Sequence, residues 1–368
     1  MSMLMALKHP TSTDGITVDY INQLLATAGT GATVTDMRII DAKTYGEQMV
    51  STAGRVAIEV DYSDDTAPDL PNRLVLKLTR AVDEIMAPFY ANEVGFYRGI
   101  RPELAIEAPR CFGGDFSAST THFGLLLEDL GVRGATFPNT TMRTGPDDVR
   151  ALLDQLARLH ARFWESPRFG ADLAWVETHV QGAVATMMNE LAPAYIAHEV
   201  ETENFKREMV QRLRTTPDKL LAGVQAVQRH QSTLPQTLLH GDTHLGNSYR
   251  LPDGTAGLLD WQLMVRGYAM HDVNYIVTTG LSIADRRAHE RDLLGYYLDR
   301  LGQEGVARPS AFDDVWAEYR RTLIWGVYIG WLTTPVVNYG WEINVMNHLR
   351  LTTAYEDLET AKLVDALL

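Results

Sequence analysis

Three polar residues have types and a spacing that could do chemistry: Asp242, Asn247 five residues later, and Asp260 thirteen residues after that. They lie in the run Leu238-Leu239-His240-Gly241-Asp242-Thr243-His244-Leu245-Gly246-Asn247, which continues to Leu258-Leu259-Asp260-Trp261-Gln262. Between the two acids, Leu251-Pro252-Asp253-Gly254 is a turn signal. The pattern predicts a strand end, a polar loop, a hairpin, and a second strand ending on an acid. Phosphoryl transfer from ATP needs that inventory. A carboxylate (Asp242) can orient a hydroxyl and take its proton, and a carboxamide (Asn247) with a second carboxylate (Asp260) offers hard oxygens to Mg²⁺. Metallophosphoesterases use similar letters, but their metal centre needs His directly after the Asn, and here Ser248 follows.

His-Gly-Asp with Asn at plus five, then Asp-Trp, resembles the aminoglycoside- and choline-kinase phosphotransferase superfamily. The wording around it, with His271-Asp272-Val273-Asn274-Tyr275 following, is most similar to the ecdysteroid-kinase-like branch. Protein kinases divide the same roles between an H-R-D-x-x-x-x-N loop and D-F-G. Here Gly241 stands for the Arg and Trp261-Gln262 for Phe-Gly. The resemblance implies a bilobal α+β protein-kinase-like fold, with an antiparallel-sheet N-terminal lobe over residues 1–130 and a mainly helical C-terminal lobe over 131–368. It implies ATP and Mg²⁺ as cofactors and a small-molecule alcohol as acceptor. It assigns catalysis to Asp242, Mg²⁺ to Asn247 and Asp260, and bracing of the catalytic loop to Asp272, which could equally be a helix N-cap.

The elements that must position these groups follow from periodicity. A helix begins after Thr17, with Val18, Ile21, Leu24 and Leu25 on one face, and stops at Gly29 and Gly31. Strands are predicted at Val34–Ile40, Arg55–Tyr62 and Arg73–Leu78. In the third, alternation sets Leu74, Leu76 and Leu78 on one face and Val75, Lys77 and Thr79 on the other. A lone strand lysine normally faces solvent, but sixteen residues on lies Glu93, in a segment with helical apolar spacing. The resemblance makes Lys77 and Glu93 the pair that holds the nucleotide phosphates. It makes the end of the apolar strand Phe123–Leu127 the interlobe hinge, where Glu128 and Leu130 meet adenine. A nucleotide flap is expected at Tyr45–Ser51 by position, without a G-x-G-x-x-G.

Further helices are predicted at Asp147–Trp164, Trp175–Leu191, Phe205–Val227, Arg286–Leu301, Phe312–Leu332 and Asn344–Leu363. His160 is read as a packed histidine. Leu323–Tyr355, expected to wall the acceptor, holds one acid, Glu342, amid Trp325, Tyr328, Trp331, Tyr339 and Trp341, with Asn338, Asn344, Asn347 and His348. Such walls suit a neutral or amphipathic alcohol better than a polycation, whose ammoniums need carboxylates; the competing reading makes these aromatics core.

Composition narrows the classes. With 33 basic against 47 acidic residues and a formal charge of −14, the chain lacks the basic balance that nucleic acid or anionic membrane selects. The single cysteine, Cys111, leaves no intramolecular disulfide and reads as a buried thiol. Leu323–Val337 is about 15 residues and a membrane span needs about 20, so it reads as a core helix in a cytoplasmic protein with no membrane span. The alternatives are a true aminoglycoside phosphotransferase and a nucleotide-binding pseudokinase acting through partners. A protein kinase is disfavoured because only eleven residues separate Asp260 from Asp272.

Overall fold

The computed structural model describes residues 7–42, 53–63, 70–79, 84–307 and 311–368. The expected flap at Tyr45–Ser51 lies outside them. The chain divides into two compact units, one of residues 1–104 and 108–136, the other of 105–107 and 137–368. The fold is α+β and kinase-like: the first unit carries an antiparallel sheet and the second is mainly helical.

In the first unit, the Thr17 side chain accepts from the Tyr20 amide (3.2 Å) and starts helix α1, Val18–Thr27. Five strands follow: β1 Val34–Asp41, β2 Ala53–Tyr62, β3 Arg73–Thr79, β4 Cys111–Ser117 and β5 His122–Glu128. They pair antiparallel in the order β1-β2-β3-β5-β4, and helix α2, Ala87–Gly95, falls between β3 and β4 in the chain. One face of the sheet packs Leu74, Leu76, Leu78, Val56, Ile58 and Leu126 against Ile21, Leu24 and Leu25 of α1. On β5 the opposite face carries Phe123, whose ring stacks on Tyr90 of α2 at 4.5 Å. Register pairs Lys77 with Leu125, so Lys77 shares the α2 face and is buried, 3% exposed. Alternation set its face correctly; α2 is what takes that face out of water.

The second unit opens with helix α3, Pro146–Phe163, whose stripe Val149, Leu152, Leu153, Leu156, Leu159 and Phe163 is buried as the spacing predicts. Three expected helices are interrupted. Trp175 does not start one: Thr178 bridges Gln181 and Arg266, Gly182 takes φ +105°, and the helix begins at Ala183. The Phe205–Val227 segment is two helices, Asn204–Arg212 and Pro217–Gln231, because Arg214 turns left-handed and Pro217 has no amide to continue the ladder. The expected Asn344–Leu363 helix is Trp341–Asp357 and Thr360–Asp365, parted at Glu359 with φ +51°. Phe312–Trp325 is α-helical and widens into π turns over Gly326–Leu332. Helices Met270–Gly280 and Ile283–Gln303 complete the framework. No described helix is long and apolar enough to cross a membrane.

Two short ribbons carry the polar segment: β6 Thr237–Leu239 pairs with β9 Val265–Gly267, and β7 Ser248–Arg250 with β8 Ala256–Leu258. Cys111 is partly buried, and burial pushes its thiol up to about 11, so it is no nucleophile at neutral pH.

Leu76 of β3 is fully buried in the cluster between the sheet and α1. Leu76→Ala should destabilise the chain by about 2–5 kcal/mol, read as a lowered urea midpoint with unchanged slope; a shift within error would show that this face is not a close-packed core.

Candidate active site

The site is built on a buried carboxylate. Asp272, fully buried in the first turn of Met270–Gly280, accepts from the His240 amide (2.7 Å) with one oxygen and from the Gly241 amide (3.0 Å) with the other. The His160 Nε2 donates to it as well (3.1 Å), its Nδ1 taking the Tyr297 hydroxyl (2.7 Å), and Thr243 donates to the Asp272 carbonyl (2.8 Å). Ala269 is the N-cap of this helix, so Asp272 braces the loop rather than capping. Burial alone would raise the Asp272 carboxyl; the His160 hydrogen bond and the surrounding His160, His271 and His240 hold it below its ordinary value.

Gly241 fits because nothing larger can. Its φ is +85°, and a Cβ would lie 1.9 Å from the Leu263 carbonyl oxygen. The Gly241 carbonyl accepts from His271 Nε2 (3.0 Å). His240 is buried and its pKa is lowered by burial, so it is a neutral ring. Its Nε2 donates to the Leu259 carbonyl (3.0 Å) and its Nδ1 accepts from the Asp242 amide (3.2 Å), tying the loop to the strand that delivers Asp260.

This frame aims Asp242. Its carboxylate accepts from Asn247 Nδ2 (2.9 Å), which also reaches the Asp242 carbonyl (2.9 Å). His244 takes the Gly246 amide on Nδ1 (3.1 Å), which leaves the proton on Nε2, 3.7 Å from the Asp242 carboxylate. The Asp242 side chain keeps 24% of its exposure. Burial pushes its pKa up and the Asp260 charge adds to this, while His244, His240 and the Asn247 bond pull the other way.

The β7–β8 register pairs Ser248 with Leu258, and the Leu259 amide donates to the Asn247 carbonyl (3.0 Å). Asn247 and Asp260 therefore flank the open end of one hairpin. Asp260 is left-handed (φ +66°, ψ +74°), a conformation that costs a non-glycine residue about 1–3 kcal/mol and clusters at functional sites. With the Asn247 amide nitrogen spent on Asp242, its oxygen remains for a ligand. One carboxamide oxygen and one carboxylate suit Mg²⁺, which takes few protein ligands and completes its shell from phosphates and water. Among the described residues no group of three or more His, Cys, Asp or Glu is placed to hold a metal by itself.

In the first unit, Lys77 Nζ donates to Glu93 Oε1 (2.8 Å) and lies 2.7 Å from Oε2 as an ion pair, with both side chains almost fully buried. Glu128 ends β5; its amide donates to the Arg110 carbonyl (2.9 Å) and its carboxylate accepts from the Arg110 amide (3.2 Å). The Leu130 carbonyl accepts from the Arg133 and Ala135 amides (3.1 Å each).

The expected acceptor wall is split. Trp331, Tyr339 and Asn347 line a recess of about 20 Å³ with His244, Gly246, Asn139, Thr140 and Ile343. Trp325, Tyr328, Asn344 and His348 are core, with His348 held down to about 3 by burial. Trp341 is exposed, edge-on to Phe205 at 5.0 Å. Sequence reasoning missed Asn139 and Thr140, which sit in a Thr-rich loop with no periodicity, and gave no role to His244 and His271, whose only signal is their place in the motif.

The fold is of the kinase-like α+β class. The chain belongs to the ecdysteroid kinase-like family, whose model matches residues 45–305. A search of curated proteins returned no significant match. Among solved structures, an ethanolamine kinase of Plasmodium vivax is 13% identical and superposes with a TM-score of 0.50, covering 86% of this chain and 81% of its own. The aminoglycoside phosphotransferase APH(3'')-Id of Streptomyces rimosus, solved with ADP and streptomycin, is 18% identical with a TM-score of 0.46, covering 87% and 100%.

Gly241→Ala forces a left-handed alanine into the Leu263 carbonyl. It should cost at least about 2 kcal/mol of stability, seen as a lower thermal midpoint; an unchanged midpoint would mean that the loop has another way to pack.

Proposed function

We propose that this chain transfers the γ-phosphate of ATP to a hydroxyl of a neutral or amphipathic small molecule. The observation that carries this is the Asp242–Asn247 loop, fixed by Asp272 and tied through His240 to the strand bearing Asp260. Asp242 accepts the proton of the acceptor hydroxyl as that oxygen bonds to the γ-phosphorus. The bond from phosphorus to the bridging oxygen breaks, ADP departs with the electron pair, and the proton remains on the Asp242 carboxyl. Asn247 positions Asp242 through its amide nitrogen and, with Asp260, would hold Mg²⁺, which supplies charge neutralisation at the phosphates when bound. Lys77, kept extended by Glu93, would contact the phosphates, and backbone groups of Glu128 and Leu130 would meet the adenine edge.

The recess beside His244 supports the view of the acceptor. Its lining holds Trp331, Tyr339, Ile343 and two amides, and no carboxylate. An aminoglycoside would bring ammoniums that leave water only when paired. Aromatic walls with amides suit an apolar body bearing a hydroxyl.

Asp242→Asn should abolish turnover while ATP binding stays within about threefold, because the carboxylate serves the acceptor. The wild-type acid limb of kcat/KM should lie above the ordinary carboxylate value of about 3.9, since burial raises the Asp242 pKa. A carboxyl with a raised folded pKa stabilises the fold below its unfolded pKa and loses that stability as pH rises through the folded one. At pH 7 the charge therefore costs stability, and the Asn variant should melt no lower than wild type. Near-wild-type turnover by it would remove Asp242 from the role of base.

For the acceptor, a coupled assay of ADP release should favour hydrophobic alcohols over kanamycin and neomycin. Faster phosphorylation of either antibiotic than of any hydrophobic alcohol would refute the neutral-acceptor reading.

A further inference from the structure

The second unit holds another cavity whose chemistry is unspent, and none of Asp242, Asn247 or Asp260 lines it. Its walls include Arg266 of β9, Gln228 of Pro217–Gln231, His179, His271 and Trp325. Arg266 is its only charged residue. Arg266 is partly buried, and its side chain forms no hydrogen bond or ion pair among the described residues: its Nε is buried without a partner, and the guanidinium lies 5.5 Å from the Phe169 ring. Gln228 is 8% exposed, and its Nε2 likewise has no partner. Buried donors are normally satisfied. Two such donors on one cavity point to a missing acceptor.

The rest of the wall is uncharged and includes three rings set at angles to one another. His271 lies 4.4 Å from Trp325 and 4.5 Å from His179, ring centre to ring centre. Burial holds both histidines neutral, so neither competes with Arg266 as the countercharge. The cavity offers about 30 Å³, room for about two water-sized atoms, which matches the oxygens of one anionic head. Beside it a hollow of about 410 Å³ shares Val180 and Gln228 in its walls and gives space for a larger body.

We propose that this cavity binds the carboxylate or phosphate head of a small anion on Arg266 and Gln228, the body of the molecule passing Val180 into the adjoining hollow. This is a site separate from the proposed phosphotransfer and does not rest on it. The head forms charge-assisted hydrogen bonds with the guanidinium, which is the fork that such groups fit.

Calorimetric titration of the full chain with benzoate and phenyl phosphate, and with benzyl alcohol as a neutral control, tests it. At least one anion should bind about tenfold or more tighter than benzyl alcohol, the difference expected from one charge-assisted contact. Arg266→Met, which keeps the apolar stem, should weaken that anion about tenfold or more, and Asp242→Asn should leave it unchanged. If Arg266→Met does not fold, Gln228→Leu carries the test, with about a threefold or greater loss expected. Absence of heat with both anions at about 10 mM, weaker than any specific site, overturns the proposal. So does binding that survives Arg266→Met but is lost in Asp242→Asn, which would put the anion at the phosphotransfer centre.

Discussion

The structure of the second unit depends on one carboxylate accepting two consecutive backbone amides. Asp272 takes the His240 and Gly241 amides and a histidine proton at once, all out of water. Amides at a strand-to-loop transition have no ladder partner, and leaving them buried and unpaired would cost about 1–3 kcal/mol each. Meeting both with one side chain fixes the peptide planes that precede Asp242, and so the direction in which its carboxylate leaves the chain. His160 and Tyr297 extend the contact to α3 and to Ile283–Gln303, so three helices converge on one loop.

The first unit solves a related problem with charges. Lys77 and Glu93 come from a strand and a helix and meet on a face that α2 shields. A buried pair is poor evidence of stability, since desolvation offsets attraction. What it does is hold an ammonium at a set height above the sheet. Both units thus use burial for orientation: each keeps ionised groups in place with partners from another secondary-structure element.

Much of this was legible in the sequence, for identifiable reasons. The faces of β3 follow from a period of two, and the α3 stripe from a period near 3.6. The hairpin between Asn247 and Asp260 was legible because Pro252-Asp253-Gly254 admits little else. Where the reading failed, a single residue overruled a favourable composition. Trp175–Leu191 has helical letters, yet Gly182 turns left-handed and Thr178 finds strand partners. The Asp272 side chain could not be told from an N-cap, because whether a carboxylate serves its own helix or a loop thirty residues away depends on tertiary approach. The aromatics of Leu323–Tyr355 divided for the same reason: π turns over Gly326–Leu332 redirect Trp331 toward His244 while Trp325 stays in the core.

The tight seat of Gly241 bears on control. In protein kinases the residue before the catalytic Asp is an arginine, and activation-loop phosphorylation acts by supplying new contacts to arginines. Here the Leu263 carbonyl occupies the space where any side chain would begin, and the backbone is in a conformation that suits glycine. A phosphate-responsive arginine cannot be gained at this position by point substitution without rebuilding the loop. That route to a covalent on-switch is sterically closed, and the loop is instead held through its backbone by His271 and Asp272.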